Sequence, residues 1–159
     1  MRTKIKRKDG LRVNHEKQSN ALPFETKMGF TALPIAVCKY YVRHPKFTPA
    51  VERVYRYLLQ RYNAEKGYAW PSWSTIMRET NIGSRQTIKR AIEALEYLEL
   101  IKRMPHEWGN NFYVFLPPIE DEAEFMRKFG GEIERSRKKT IEQREQTETD
   151  EFKELADWL

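Results

Sequence analysis

Between Ser72 and Leu98 two amphipathic patterns of helical period stand only three residues apart, and this spacing limits how the chain can fold. In "SWSTIMRET" Ser72 is placed to cap a short helix over about Trp73 to Thr80, with Trp73, Ile76 and Met77 as inward candidates. In "SRQTIKRAIEALEYL" Ser84 is placed to cap the next helix, where Ile88, Ala91, Ile92, Leu95 and Leu98 fall at i, i+3, i+4, i+7 and i+10 on one face. The connection Asn81-Ile82-Gly83 then has to be a tight turn, and Gly83 is the residue free to take a positive φ.

Two helices joined so closely are a helix-turn-helix arrangement. A preceding helix is read in "FTPAVERVYRYLLQRYN": Thr48 caps it, Pro49 occupies its first position, and Val51, Val54, Tyr55, Leu58 and Tyr62 form its core stripe. Leu100 to Arg103 and Phe112 to Leu116 are strand-like, and "MPHEWGNN" between them carries the turn residues Gly109-Asn110-Asn111. A hairpin directly after the second helix of such a pair is a wing. The expected fold is mainly α with a small β-hairpin wing, a winged helix-turn-helix over residues 21–118. A flexible basic arm precedes it (1–20). A helix (119–130) carrying Ile119, Ala123, Met126 and Phe129, and stopped by Gly130-Gly131, follows it. A flexible charged tail (131–159) ends in a short amphipathic helix at 151–159.

Charge is distributed unevenly along this plan. Residues 1–20 hold seven Lys/Arg against two Asp/Glu, residues 21–118 fourteen against eight, and residues 119–159 eight against thirteen. A polyanionic partner suits the first two parts. The second helix of the pair repeats this polarity locally. Arg85, Gln86, Lys89 and Arg90 lie on the free surface of its first turns, while Glu93, Glu96 and Glu99 crowd its end. That order opposes the helix dipole at a cost of about a few tenths of a kcal/mol per exposed charge, so stability does not account for it. A phosphate backbone at the helix N-terminus does. The basic arm either adds to that attraction or only keeps the chain soluble.

The run "AWPSWSTIMRETNIGSRQTIKRAIEALEYLELIKR" followed by "NNFYVFLPP" resembles the winged helix-turn-helix domain of Gram-positive plasmid and phage replication initiators, and "FTALPIAV" is similar to their Phe/Leu-Pro lead-in. The chain departs from that pattern at Glu99, where the family usually has the glycine suited to a left-handed helix end. The resemblance implies duplex DNA binding with the third helix in the major groove. On that basis Arg85 can fork onto guanine, Gln86 can pair with adenine, and Lys89 reaches a base or a phosphate, while Ser84, Thr87 and Arg90 hold phosphates. Ser72 and Trp73 are candidates for the backbone, with a core role for Trp73 of equal weight. Lys102, Arg103, His106 and Trp108 are the candidate wing contacts. The implied function is sequence-specific duplex binding at origin repeats with recruitment of replication partners. A transcriptional repressor with the same binding mode is the alternative.

No enzyme is expected. His15, His44 and His106 stand far apart, no glycine run precedes a phosphate-loop lysine, and one cysteine rules out a Cys-rich zinc site and an intrachain disulfide. Neither cofactor nor metal is predicted. Cys38, within an apolar run, reads as a small buried residue. No apolar window approaches a membrane span or a secretory leader, which points to the cytoplasm. Residues 21–44 and 119–129 offer either core packing or a homodimer contact. In the tail, Phe152, Leu155, Trp158 and Leu159 sit among Asp150, Glu151, Glu154 and Asp157. This end either folds back on its own domain or engages a replisome protein.

Overall fold

The computed structural model describes residues 22–107 and 109–158. The basic arm, Trp108 and Leu159 therefore lie outside the described residues. The chain divides at Ala32/Leu33 into two units, a boundary that falls within the expected 21–118 span. In the first unit the Thr26 hydroxyl donates to the Gly29 carbonyl across a turn, at 3.5 Å.

The second unit begins with a short helix, α1 (Ile35–Lys39), opened by Pro34, and a single 3-10 turn at Tyr41–Arg43. Val37 and Tyr41 enter the core, whereas Cys38 is exposed, contrary to its expected burial. The local sequence is apolar all round, and only the direction from which the rest of the protein covers a five-residue helix decides which face is buried.

Helix α2 (Pro49–Gln60) starts as expected, with the Thr48 hydroxyl accepting from the Val51 N–H and Pro49 at the first position. Val51, Val54, Tyr55 and Leu58 are buried. Tyr62 is not part of this stripe, because the helix ends at Gln60 and the ring lies edge-on to Phe115 at the surface. Helix α3 (Trp73–Thr80) is capped by Ser72, and α4 (Arg85–Tyr97) by Ser84. Ile88, Ala91, Ile92, Leu95 and Leu98 are all buried as their spacing requires.

Both helix ends close by the same left-handed device, and neither uses glycine. After α3 the left-handed residue is Asn81 (φ 53), not Gly83; the Ile82 N–H returns to the Met77 carbonyl at 3.1 Å. Asparagine tolerates this conformation better than other side chains, which is why the turn does not need Gly83 there. After α4 the residue is Glu99 (φ 55), with the Glu99 N–H on the Glu96 carbonyl and the Leu100 N–H on the Leu95 carbonyl, each at 3.0 Å. The geometry that glycine normally supplies is thus kept by a glutamate.

Strands β1 (Ile101–Pro105) and β2 (Asn111–Phe115) form an antiparallel hairpin in which Ile101 faces Phe115 and Arg103 faces Tyr113. Met104 and Pro105 extend the first strand beyond its expected end. A third, one-residue strand is present as well: Ala69 bridges Tyr113 through N–H···O contacts of 3.1 and 2.7 Å. The core lies between α2, α4 and the inner face of this sheet, closed by Phe125 and Phe129.

Those two phenylalanines belong to α5, which runs without a break from Glu122 to Asp157. The expected stop at Gly130-Gly131 and the expected flexible tail are not what this chain builds. A helical glycine costs about 1 kcal/mol relative to alanine, a penalty and not a prohibition. Gly130 is buried, and a Cβ there would sit 3.1 Å from the Met126 Cε, so the small residue serves packing. The buried face agrees with expectation at Phe129 and differs elsewhere. Phe125 and Phe129 are anchored against Tyr41 at ring distances of 5.0 and 6.3 Å, while Ile119 and Met126 are half-buried and Ala123 is exposed.

Candidate nucleic-acid interface

The first two turns of α4 present one continuous polar face. Ser84 holds the helix start by accepting from the Thr87 N–H at 3.3 Å, and Arg85, Gln86, Lys89 and Arg90 are all exposed while Thr87 is half-buried. The three glutamates at the other end are each paired with a base. Glu93 lies 3.9 Å from Lys89, Glu96 is 3.3 Å from Arg103, and Glu99 bonds Lys128 of α5. Glu96 and Glu99 are thus paired with bases from outside α4, whereas Glu93 draws on Lys89 of the basic face itself.

Arg85 is held from the side. Its guanidinium lies over the Trp73 ring, 5.1 Å from the centroid, while the Trp73 indole N–H donates to the Tyr113 hydroxyl at 3.1 Å. Trp73 takes the core role weighed for it, packing against the core, and its ring also carries a side chain of the polar face. The Ser72 hydroxyl accepts from the Thr75 N–H at 3.2 Å and meets the Ser74 hydroxyl at 2.9 Å. Ser72, Arg85, Arg103, Asn110 and Asn111 line one polar cleft between the starts of α3 and α4 and the wing loop. Helix-start N–H groups, a guanidinium and amides converging on one cleft make a site for an anionic oxygen.

The expected wing residues do not behave as a set. Lys102 is exposed on the outer face. Arg103 has the pleat parity of Ile101, and Glu96 accepts from its backbone N–H and forms an ion pair with its guanidinium, each at 3.3 Å. The pair is half-buried, and the Arg103 side chain still borders the polar cleft. His106 lies in the loop with its ring 6.3 Å from Phe112, and Trp108 is outside the described residues. Asn110 and Asn111, read in the sequence only as turn residues, are cleft residues too. The "GNN" run carried that signal, since asparagine both turns a chain and offers an amide. Far along α5, Phe152, Leu155 and Trp158 are 76, 65 and 90% exposed; Leu159 lies outside the described residues.

Three helices, a turn closed at Asn81 and a hairpin behind the exposed polar helix define a winged helix-turn-helix protein. A helix-turn-helix domain family matches residues 48–101, which is 54 of the 159 residues, and supports a DNA-binding domain of that type there. Neither a curated protein nor a solved structure matches the chain. Among the described residues no helix is long and apolar enough to cross a membrane.

Proposed function

We propose that this chain is a cytoplasmic, sequence-specific duplex DNA-binding protein that serves as a plasmid or phage replication initiator, binding origin repeats and bringing replication partners to them. The observation that carries the DNA reading is the exposed face of Arg85, Gln86, Lys89 and Arg90 beside the cleft formed with Ser72 and Asn110. Arginine and glutamine at the start of a groove-entering helix can read guanine and adenine edges, and the cleft would hold a flanking phosphate. The replication role rests on the resemblance of the Trp70-Pro71-Ser72 and Phe30 to Val37 stretches to initiators. The protein acts by binding alone, without cofactor or covalent chemistry.

The acidic, apolar end of α5 is the proposed recruiting element. Removing Glu151 to Leu159 should leave the melting temperature unchanged while abolishing capture of a replication partner; a clear fall in melting temperature would mean that this end packs on the domain.

Selection from a random duplex library at near-physiological salt tests the function, because non-specific phosphate binding is weak there. Iterated direct repeats are the expected product. A single palindrome would favour the repressor-like homodimer, and binding that persists only at low salt without enrichment would defeat sequence-specific reading.

A further inference from the structure

The outer face of the wing sheet is aromatic without serving the core. Tyr68 and Trp70 flank Ala69, which bridges Tyr113, so pleating turns both to the side opposite the buried Ala69 and Tyr113. The same parity brings Phe112 and Val114 of β2 and Lys102 and Met104 of β1 to that side. Tyr68 and Phe112 lie 4.7 Å apart and Tyr68 and Trp70 5.5 Å apart by ring centroids, at interplanar angles of 42 and 71°. No two of them stack in parallel, and none of the three rings belongs to the core cluster. Trp70 remains 44% exposed, with the Lys66 ammonium 4.9 Å from its centroid.

We propose that this face is a stacking platform for an unpaired nucleic-acid strand, contiguous with the duplex-binding surface. Three features favour a strand over a protein partner. The cleft on this face contains Lys66 and His106 beside the rings, and no carboxylate of the described residues lines it. Asn110 and Asn111 line both this cleft and the polar cleft at the starts of α3 and α4, so the two surfaces meet at the wing loop. Every base has a π-face to lay on an aromatic ring, whereas its edge needs donors and acceptors, which two amides supply. Lys66 and Lys102 are the cations available to the strand's phosphates. The inference rests on the duplex-binding reading for its geometry and extends it: a protein that holds duplex on one side of its wing would also hold a strand opened next to it.

The test compares binding of a twelve-residue oligothymidylate with that of an abasic strand of the same length, alongside a duplex containing the selected site. The wild-type protein should prefer the base-bearing strand by about tenfold, the lower part of the range for one or two stacked bases. Trp70→Ala should remove that preference while leaving duplex affinity within about twofold, and the Arg85, Lys89 and Arg90 triple alanine variant should do the reverse. Equal wild-type affinity for the two strands would overturn the proposal without reference to any variant, and so would a preference that survives in a folded Trp70→Ala protein. Loss of duplex binding alone in the wild type would instead strike the function proposed above.

Discussion

The guanidinium carbon of Arg85 sits 5.1 Å from the centre of the Trp73 indole, which joins the first residue of one helix of the pair to the first residue of the other. The ring restrains a side chain that would otherwise sample many rotamers, and it is itself fixed by the Tyr113 hydroxyl. Arg85→Ala should therefore weaken binding to the selected duplex by about 1–3 kcal/mol, with the loss concentrated at one base position. Arg85→Lys should recover little, because lysine lacks both the fork and the planar stack. Titrations of single-base variants of the site measure this; a uniform loss across all sequences would make Arg85 a phosphate contact.

Glu96 pairs with the Arg103 guanidinium at the edge of the polar cleft, at 3.3 Å. Glu96→Gln keeps an oxygen for the Arg103 backbone N–H but removes the charge that pairs its guanidinium. The released arginine should raise non-specific duplex affinity and steepen the dependence of log K on log salt by about one phosphate equivalent. The change in stability should stay within about 1 kcal/mol, as expected for a partly exposed pair. An unchanged salt slope would show that Arg103 does not reach the backbone even when free.

Glu99 carries a left-handed backbone at the end of α4. Glu99→Gly should stabilise the domain by up to about 1 kcal/mol, since the conformational relief outweighs the loss of an exposed pair with Lys128. Thermal unfolding measures the shift. A destabilised variant would mean that the Glu99–Lys128 contact contributes more to docking α5 than an ordinary surface pair.

His44 makes stability depend on pH. It is buried, its Nδ1 accepts from the Lys46 N–H at 3.1 Å, and its Nε2 is 3.6 Å from Glu132, too far for a hydrogen bond. Burial lowers its pKa below the ordinary 6.5, the Glu132 carboxylate opposes that shift, and the Lys46 ammonium adds to it. The folded state thus keeps His44 neutral at pH values where the unfolded chain has taken up a proton. Its contribution is complete above about pH 6.5 and declines as pH falls below that value. The melting temperature of the wild type should drop between pH 7 and 5 more steeply than that of His44→Asn, whose amide oxygen can still accept from Lys46. Parallel profiles would clear His44 of this role.

Much of the domain was legible because the signals were local. Thr48, Ser72 and Ser84 cap the helices their positions announce, and the apolar period of α4 places all five of its inward residues. The polar face of the same helix follows from that period. Features decided by distant partners were not legible in this way. The pairing of Arg103 depends on the register of β1 against β2 and on Glu96 seven residues earlier. The one-residue strand at Ala69 depends on Tyr113, and a single residue has no period to read. Gly130-Gly131 looked like a stop because glycine usually ends helices, but α5 runs through both, with Gly130 in close contact with Met126. Cys38 and Tyr62 show the converse: an apolar run tells that something is covered, not which side.

From Glu134 to Asp157, α5 adds 24 residues beyond its half-buried Ile133, a length of about 36 Å at 1.5 Å per residue. A coil of that many residues would let its end wander through a broad volume, whereas a helix turns the same residues into a lever of set length and bearing. Phe152 and Leu155 then stand about 29 and 33 Å along the axis beyond Ile133, the stand-off at which the proposed recruiting element would grip its partner. Each residue inserted into the middle of the helix would swing that grip by about 100° around the axis, so the chain length here acts as an angular setting as much as a distance.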